Sequence, residues 1–101
     1  MRSFEFSLLK LSVIIPAYNE EKTIGSILDR IGQVLLPNGM EKELIIVDDH
    51  SSDGTASFIE KYNEEHPDAG IRFLRHERNS GKGAALRTGI EHATGDFVVI
   101  Q

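Results

Sequence analysis

Hydrophobic positions follow two alternating rhythms along the chain. Short apolar runs of strand length recur at Leu11-Ser12-Val13-Ile14-Ile15, at Leu44-Ile45-Ile46-Val47, at Ile71–Arg75 and at Asp96–Gln101. Between them, apolar residues return every three or four positions. Ile24, Ile27, Leu28, Ile31 and Leu35 form one stripe, Phe58, Ile59 and Tyr62 a second, and Leu86, Ile90 and Ala93 a third. The pattern predicts strands over 11–15, 43–47, 71–75 and 96–101. It predicts helices after Asn19, over Thr55–Glu65 and over Ala84–Ala93. Asn19 is expected to cap the first helix, with Glu20 and Glu21 in its first turn at the positive end of the dipole. Pro16 closes the first strand, Pro37-Asn38-Gly39 ends the first helix, and Ser52 or Asp53 caps the second. Residues 1–10 show no clear period and read as a tail or a short edge element.

The order βαβαβαβ implies parallel strands joined by right-handed crossovers. The fold class is therefore α/β, a Rossmann-like, mostly parallel sheet with helices on both faces. The unbroken apolarity of Leu44–Val47 agrees, since a strand covered on both sides need not alternate. Such sheets bind ligands at the carboxyl ends of their strands. Three polar clusters fall at those ends: Tyr18-Asn19-Glu20, Asp48–Asp53 and Arg78–Gly83.

Composition narrows the picture. A chain of 101 residues has room for one domain, and 40% hydrophobic with 27% charged residues is ordinary for a globular protein. Cysteine is absent, which excludes disulfides, thiolate metal sites and a cysteine nucleophile. The apolar runs fall far short of the roughly 20 residues that span a bilayer. Arg2 is followed by Glu5 with no long apolar stretch, so a cleavable secretory signal is not expected. The net charge of −5 argues against a nucleic-acid partner. One segment runs the other way: Arg72, Arg75, Arg78, Lys82 and Arg87 face only Glu77 and Glu91 over residues 71–92. A local basic stretch can attract an anion, although most of these arginines read as a solvated face.

Each cluster has a functional and a structural reading. Tyr18 offers an aromatic surface and Glu20 a carboxylate able to accept from hydroxyl or amino groups, whereas Asn19 and Glu21 read as helix-terminus residues. Asp48 and Asp49 stand where a βαβ fold reads a ribose or a base. Successive side chains point in opposite directions, so one of the two faces the ligand while the other braces the loop. His50 reads as structural or solvated. Asn79-Ser80-Gly81-Lys82-Gly83 combines close backbone approach, a helix N-terminus and a cation, all favourable to an anion. It matches neither the phosphate-loop nor the dinucleotide fingerprint, and its glycines also suit helix–sheet packing.

Taken together, these segments resemble family 2 glycosyltransferases of the GT-A fold. The resemblance runs from Leu11 to the last residue. It is carried by Leu11–Glu20, Ile46–Thr55, Asn79–Gly89 and Ala93-Thr94-Gly95-Asp96, and the Gly-Lys-Gly-Ala-Ala form looks most like dolichyl- or polyprenyl-phosphate sugar transferases. It implies that residues 11–101 form the N-terminal, nucleotide-binding half of a larger domain. Pro16, Tyr18 and Glu20 would lie around the base and ribose of a nucleoside-diphosphate sugar. Asp49 would read the base with Asp48 in support, and Lys82 would lie toward the diphosphate.

The same resemblance implies a divalent cation, Mg²⁺ or Mn²⁺, held in the full-length protein by an Asp-x-Asp motif expected after Gln101. No catalytic residue and no metal ligand is then expected within this chain, and no turnover by it alone. The implied reaction is transfer of a hexose to a polyprenyl phosphate, or alternatively to a glycan acceptor, in the cytoplasm or at the cytoplasmic face of a membrane. A strand left unpaired at the sheet edge is expected to make the isolated chain self-associate. Other classes remain open. A receiver-like regulatory module would use an acidic pair, but places it after the first strand. A nucleotidyltransferase would carry a glycine- and arginine-rich loop where Pro16–Glu20 stands.

Overall fold

A computed structural model describes residues 9–101. Four strands, β1 (Lys10–Ala17), β2 (Glu41–Asp48), β3 (Ile71–Arg75) and β4 (Phe97–Ile100), alternate with three helices, α1 (Ile24–Gln33), α2 (Thr55–Glu65) and α3 (Lys82–His92). All pairings are parallel, and the strand order is β3-β2-β1-β4. The chain therefore builds the sheet outward from β1 in one direction and then returns to add β4 on the other side of β1. The expected tail or edge element falls mostly outside the described residues, but Lys10 already belongs to β1 and pairs with Glu41.

Alternation along the strands separates two cores. Val13, Ile15 and Ala17 of β1 pack with Leu44 and Ile46 against Ile24 and Leu28 of α1 and Ile59 of α2. Ile14, Ile45 and Val47 point the other way, onto Ala85 of α3. This is the expected two-faced covering. α3 lies so close that a Cβ built at Gly89 would sit 2.4 Å from Ile14 Cγ2, and only glycine allows that contact. β1 runs through Pro16 rather than stopping at it. Gln101 N–H donates to the Ile14 carbonyl and Asp49 N–H to the Ala17 carbonyl, so residues 14 and 16 face β4. β4 pairs with β1 from Leu11 to Ile14, and Pro16, on the same side, brings no N–H to that ladder.

Several expectations about the helices are corrected. Asn19 does not cap α1. It sits in the left-handed region (φ 51°), the helix starts at Ile24 after a turn, and no acidic residue lies in its first turn. The Asn19 side chain is instead spent on the loop after β2. The stripe ends at Ile31, because α1 stops at Gln33 and Leu35 is 92% exposed. Lys42 Nζ donates to the carbonyls of Ile31 and Val34, satisfying that helix end. Phe58 and Ile90 are also partly exposed rather than inward. α3 begins two residues earlier than the pattern predicts and ends at His92.

One buried carboxylate ties the sheet together at the end opposite the polar clusters. Glu43 Oε2 accepts from Ser12 Oγ (2.6 Å), Thr94 N (2.7 Å) and Thr94 Oγ1 (3.0 Å), linking β2, β1 and the approach to β4. Burial alone would raise its pKa. The hydrogen bonds from Ser12 and Thr94 and the nearby Lys10 charge outweigh that, and the carboxyl titrates below its ordinary value. A carboxyl with a depressed folded pKa adds stability above its unfolded pKa, and that stability is lost as pH falls through the folded value. Glu43→Gln is thus expected to destabilise the protein by about 1–3 kcal/mol at neutral pH. Urea denaturation at pH 7 and below pH 4 checks this: the gap should narrow in acid, and a gap independent of pH would contradict it. The edge strand β4 exposes Phe97, Val98, Val99 and Ile100. The 101-residue chain is therefore expected to show concentration-dependent self-association in sedimentation velocity, and a monomer at every concentration would oppose this.

Candidate functional site

Two adjacent carboxylates, Asp48 as the last residue of β2 and Asp49 directly after it, diverge as extended backbone geometry requires. Asp48 is fully buried. It accepts from the Ser51 N–H at 3.0 Å, from the Ser51 hydroxyl and from Arg75 Nε at 2.9 Å. Arg75 NH2 also donates to the Ser51 carbonyl, so one cation of the basic segment is committed to the loop beneath the site. Asp48 braces the loop and does not line the cleft described below.

Asp49 turns to the other side, toward the loop ahead of α3. Its Oδ1 is bonded to His76 Nδ1 (2.8 Å) and Ser80 N (2.9 Å), its Oδ2 to Gly81 N (2.8 Å), and Asn79 donates to its backbone carbonyl. Burial would raise its pKa, but the bonds from Ser80, His76 and Gly81 hold the carboxyl below its ordinary range. Asp49 is thus an anion at neutral pH, and it fixes the loop that delivers α3. Gly81 caps that helix at φ 96°, a region natural to glycine, and Lys82 is the first helical residue.

The loop after β1 is sewn to the loop after β2. Asn19 Oδ1 accepts from Ser52 N (2.9 Å) and Asp53 N (3.3 Å), while Asn19 N–H donates to Ser51 Oγ (2.8 Å) and Glu20 N–H to Thr55 Oγ1 (2.8 Å). Glu21 Oε1 accepts from Gly54 N–H, and Asp53 Oδ1 from the Thr55 N–H at the start of α2. Neither Ser52 nor Asp53 is the N-cap of α2: Gly54 holds that position without a side-chain cap bond, and Asp53 bonds the Thr55 N–H from the residue before it. His50 adopts φ 63° and bonds the His76 carbonyl, the structural part expected of it.

These loops enclose a cleft of about 430 Å³ at the carboxyl ends of β1 and β4, where the strand order reverses. Pro16, Tyr18, Glu20, Asp49 and Lys82 all line it, with Asn79, Gly81 and Gln101 among the rest of the wall. Five of the six residues singled out from sequence therefore meet at one place. Tyr18 is half-exposed and offers its ring to the opening. The residue that sequence reasoning missed is His76, whose ring bridges Asp49 and Thr88 Oγ1 (2.8 Å to each). Its position directly after β3 was the available signal. The same position is where a receiver module would need its phosphorylated aspartate.

A second groove, about 660 Å³, opens at the other end of the sheet between α1 and α2. Four of its polar groups, on Asp29, Lys42, Tyr62 and His66, are already engaged. Tyr62 OH donates to Asp29 (2.7 Å), burial and the Asp29 carboxylate push the phenol up to about 12, and Lys42 closes α1. Among the described residues no three His, Asp or Glu side chains gather to hold a metal ion.

Comparison with known proteins gives a consistent picture. The family model described as glycosyl transferase family 2 matches residues 12–101. A dolichyl-phosphate beta-glucosyltransferase of Dictyostelium discoideum is 38% identical over 89% of this chain and 29% of its own length. An undecaprenyl-phosphate 4-deoxy-4-formamido-L-arabinose transferase of Enterobacter sp. (strain 638) is 37% identical over 89% of this chain and 27% of its own. Among solved structures, a mannosyltransferase from Pyrobaculum calidifontis in complex with GDP-Man and Mn²⁺ superposes with a TM-score of 0.79 at 35% identity, over 91% of this chain and 26% of that one. S. aureus TarS 1–349 in complex with UDP gives 0.80 at 34% identity, over 92% and 27%. The chain spans less than a third of the length of the curated relatives it matches. The parallel sheet and its helices are those of GT-A glycosyltransferases. With the polar loops and the cleft all inside the matched span, the chain belongs to glycosyl transferase family 2.

Proposed function

We propose that this chain binds the nucleotide of a nucleoside-diphosphate sugar in the cleft at the ends of β1 and β4. We further infer that it forms the N-terminal part, residues 11–101, of an enzyme that transfers a hexose to a polyprenyl phosphate. The observation that carries the reading is the convergence of Pro16, Tyr18, Glu20, Asp49 and Lys82 on one cleft at the switch point of a parallel sheet. Asp49 offers an acceptor to a base N–H, Tyr18 an aromatic face, and Glu20 an acceptor for ribose hydroxyls. Lys82 and the free N–H groups of the first turn of α3 suit a diphosphate.

The acceptor class rests on the relatives, whose names include dolichyl- and undecaprenyl-phosphate transferases. A phosphate monoester acceptor is already an anionic nucleophile, so the chemistry asks for alignment and charge neutralisation more than for a base. In this reading a divalent cation completes the site with ligands from beyond the described residues, as the Mn²⁺ of the Pyrobaculum complex suggests. No helix of the described residues is long and apolar enough to cross a membrane. Work at the cytoplasmic face of a membrane then follows from the lipid-linked acceptor.

Isothermal titration with nucleosides and nucleoside diphosphates, with and without Mn²⁺, tests the site. Asp49→Ala is expected to weaken nucleoside and diphosphate alike by about tenfold or more, since a charge-assisted bond is lost. Lys82→Ala is expected to weaken the diphosphate by about tenfold while leaving the nucleoside within about twofold. Equal losses for both ligands in the Lys82 variant would remove Lys82 from the phosphate side.

A further inference from the structure

Asp49 accepts more hydrogen bonds from the protein than a carboxylate reading a ligand needs, and they fall unevenly on its two oxygens. An ionised carboxylate offers roughly four lone-pair sites, two on each oxygen. Both sites of Oδ1 are filled, by His76 Nδ1 at 2.8 Å and Ser80 N at 2.9 Å. Oδ2 takes only Gly81 N, at 2.8 Å, and keeps one site. Because an ionised carboxylate can only accept, His76 Nδ1 carries a proton. The far side of the ring is held by Thr88 Oγ1 at 2.8 Å from Nε2. His76 does not line the cleft. Its link to the cleft is the bond to Asp49.

The bases a glycosyl donor carries differ in what they show a carboxylate. Uracil presents a single imide N–H between two carbonyl oxygens. Guanine presents two neighbouring donors, N1–H and the N2 amino group, which suit both oxygens of a carboxylate at once. With Oδ1 filled, guanine leaves one of those donors unpaired, and an unpaired buried donor is costly.

We propose that His76, braced by Thr88, restricts Asp49 to one free acceptor site and so selects a uracil nucleotide over a guanine nucleotide. The inference rests on the reading of the cleft as a nucleotide site. Ser80 and Gly81 hold Asp49 without help from His76. Loss of the imidazole therefore frees a site on Oδ1 and moves the preference toward guanine.

The test is the ratio of UDP to GDP affinity, measured by isothermal titration on the full-length protein with Mg²⁺ present. The wild type is expected to favour UDP by about tenfold, the cost of one unpaired donor. His76→Ala is expected to shrink that preference at least about fivefold, and His76→Asn, whose amide can replace the Nδ1 donor, to restore it to within about twofold. Should His76→Ala fail to fold, Thr88→Val releases the ring and is expected to shrink the preference at least about twofold. A wild type that binds GDP as well as UDP overturns the proposal. So does a His76→Ala or Thr88→Val protein that loses both ligands equally, since a merely structural role would leave the ratio fixed. Asp49→Ala separates the two levels. If it abolishes binding while the His76 and Thr88 variants leave the ratio unchanged, only the selectivity fails; if UDP binding survives it, the site reading fails and the selectivity with it.

Discussion

The site depends on burying two adjacent carboxylates at the end of one strand. Neither Asp48 nor Asp49 has water enough to satisfy it, so each must recruit donors from the protein. Strand alternation sends them to opposite sides. Asp48 gathers Ser51 and Arg75 and thereby fixes the loop after β2 against β3. Asp49 gathers His76, Ser80 and Gly81 and thereby fixes the loop that starts α3. The cleft is what remains between loops held in this way. Asn19 adds the third wall by bonding back to Ser52 and Asp53.

The same constraint explains which parts of the fold were legible in the sequence. Strand and helix order followed from apolar spacing, because burial on one or both faces is a local signal. The strand order β3-β2-β1-β4 places the returning β4 beside β1, and the clusters at the carboxyl ends of β1 and β2 and ahead of α3 meet around that point. Asn19 read as a helix cap because local chemistry suits it to that role. Its actual partners lie more than thirty residues away, on a loop whose proximity only the sheet creates. Leu35 followed the helical stripe but falls beyond the end of α1, which Lys42 sets from β2. His76 was missed for the same reason as Asn19. A lone histidine signals little until the fold puts a carboxylate on one nitrogen and a hydroxyl on the other.

Family membership and geometry constrain different things. Membership in glycosyl transferase family 2 covers residues 12–101 and accounts for the sheet and its helices. The geometry says which of the side chains face the cleft, and it divides the acidic pair cleanly: one carboxylate for the scaffold, one for the cleft. The division of labour is also electrostatic. An acidic chain presents Lys82 and a helix N-terminus at one side of the cleft and an anionic Asp49 at another, which is the contrast on which the proposed placement of diphosphate and base rests.

The most direct measurement is a ¹⁵N–¹H chemical-shift titration of the protein with UDP and with GDP, which reports where a nucleotide sits without assuming a reaction. The account predicts shifts concentrated at Tyr18–Glu20, Asp49 and Asn79–Gly83, with the groove of Tyr62, His66 and Lys42 silent. Shifts centred on that second groove, or no site-specific shifts with either nucleotide, would contradict it.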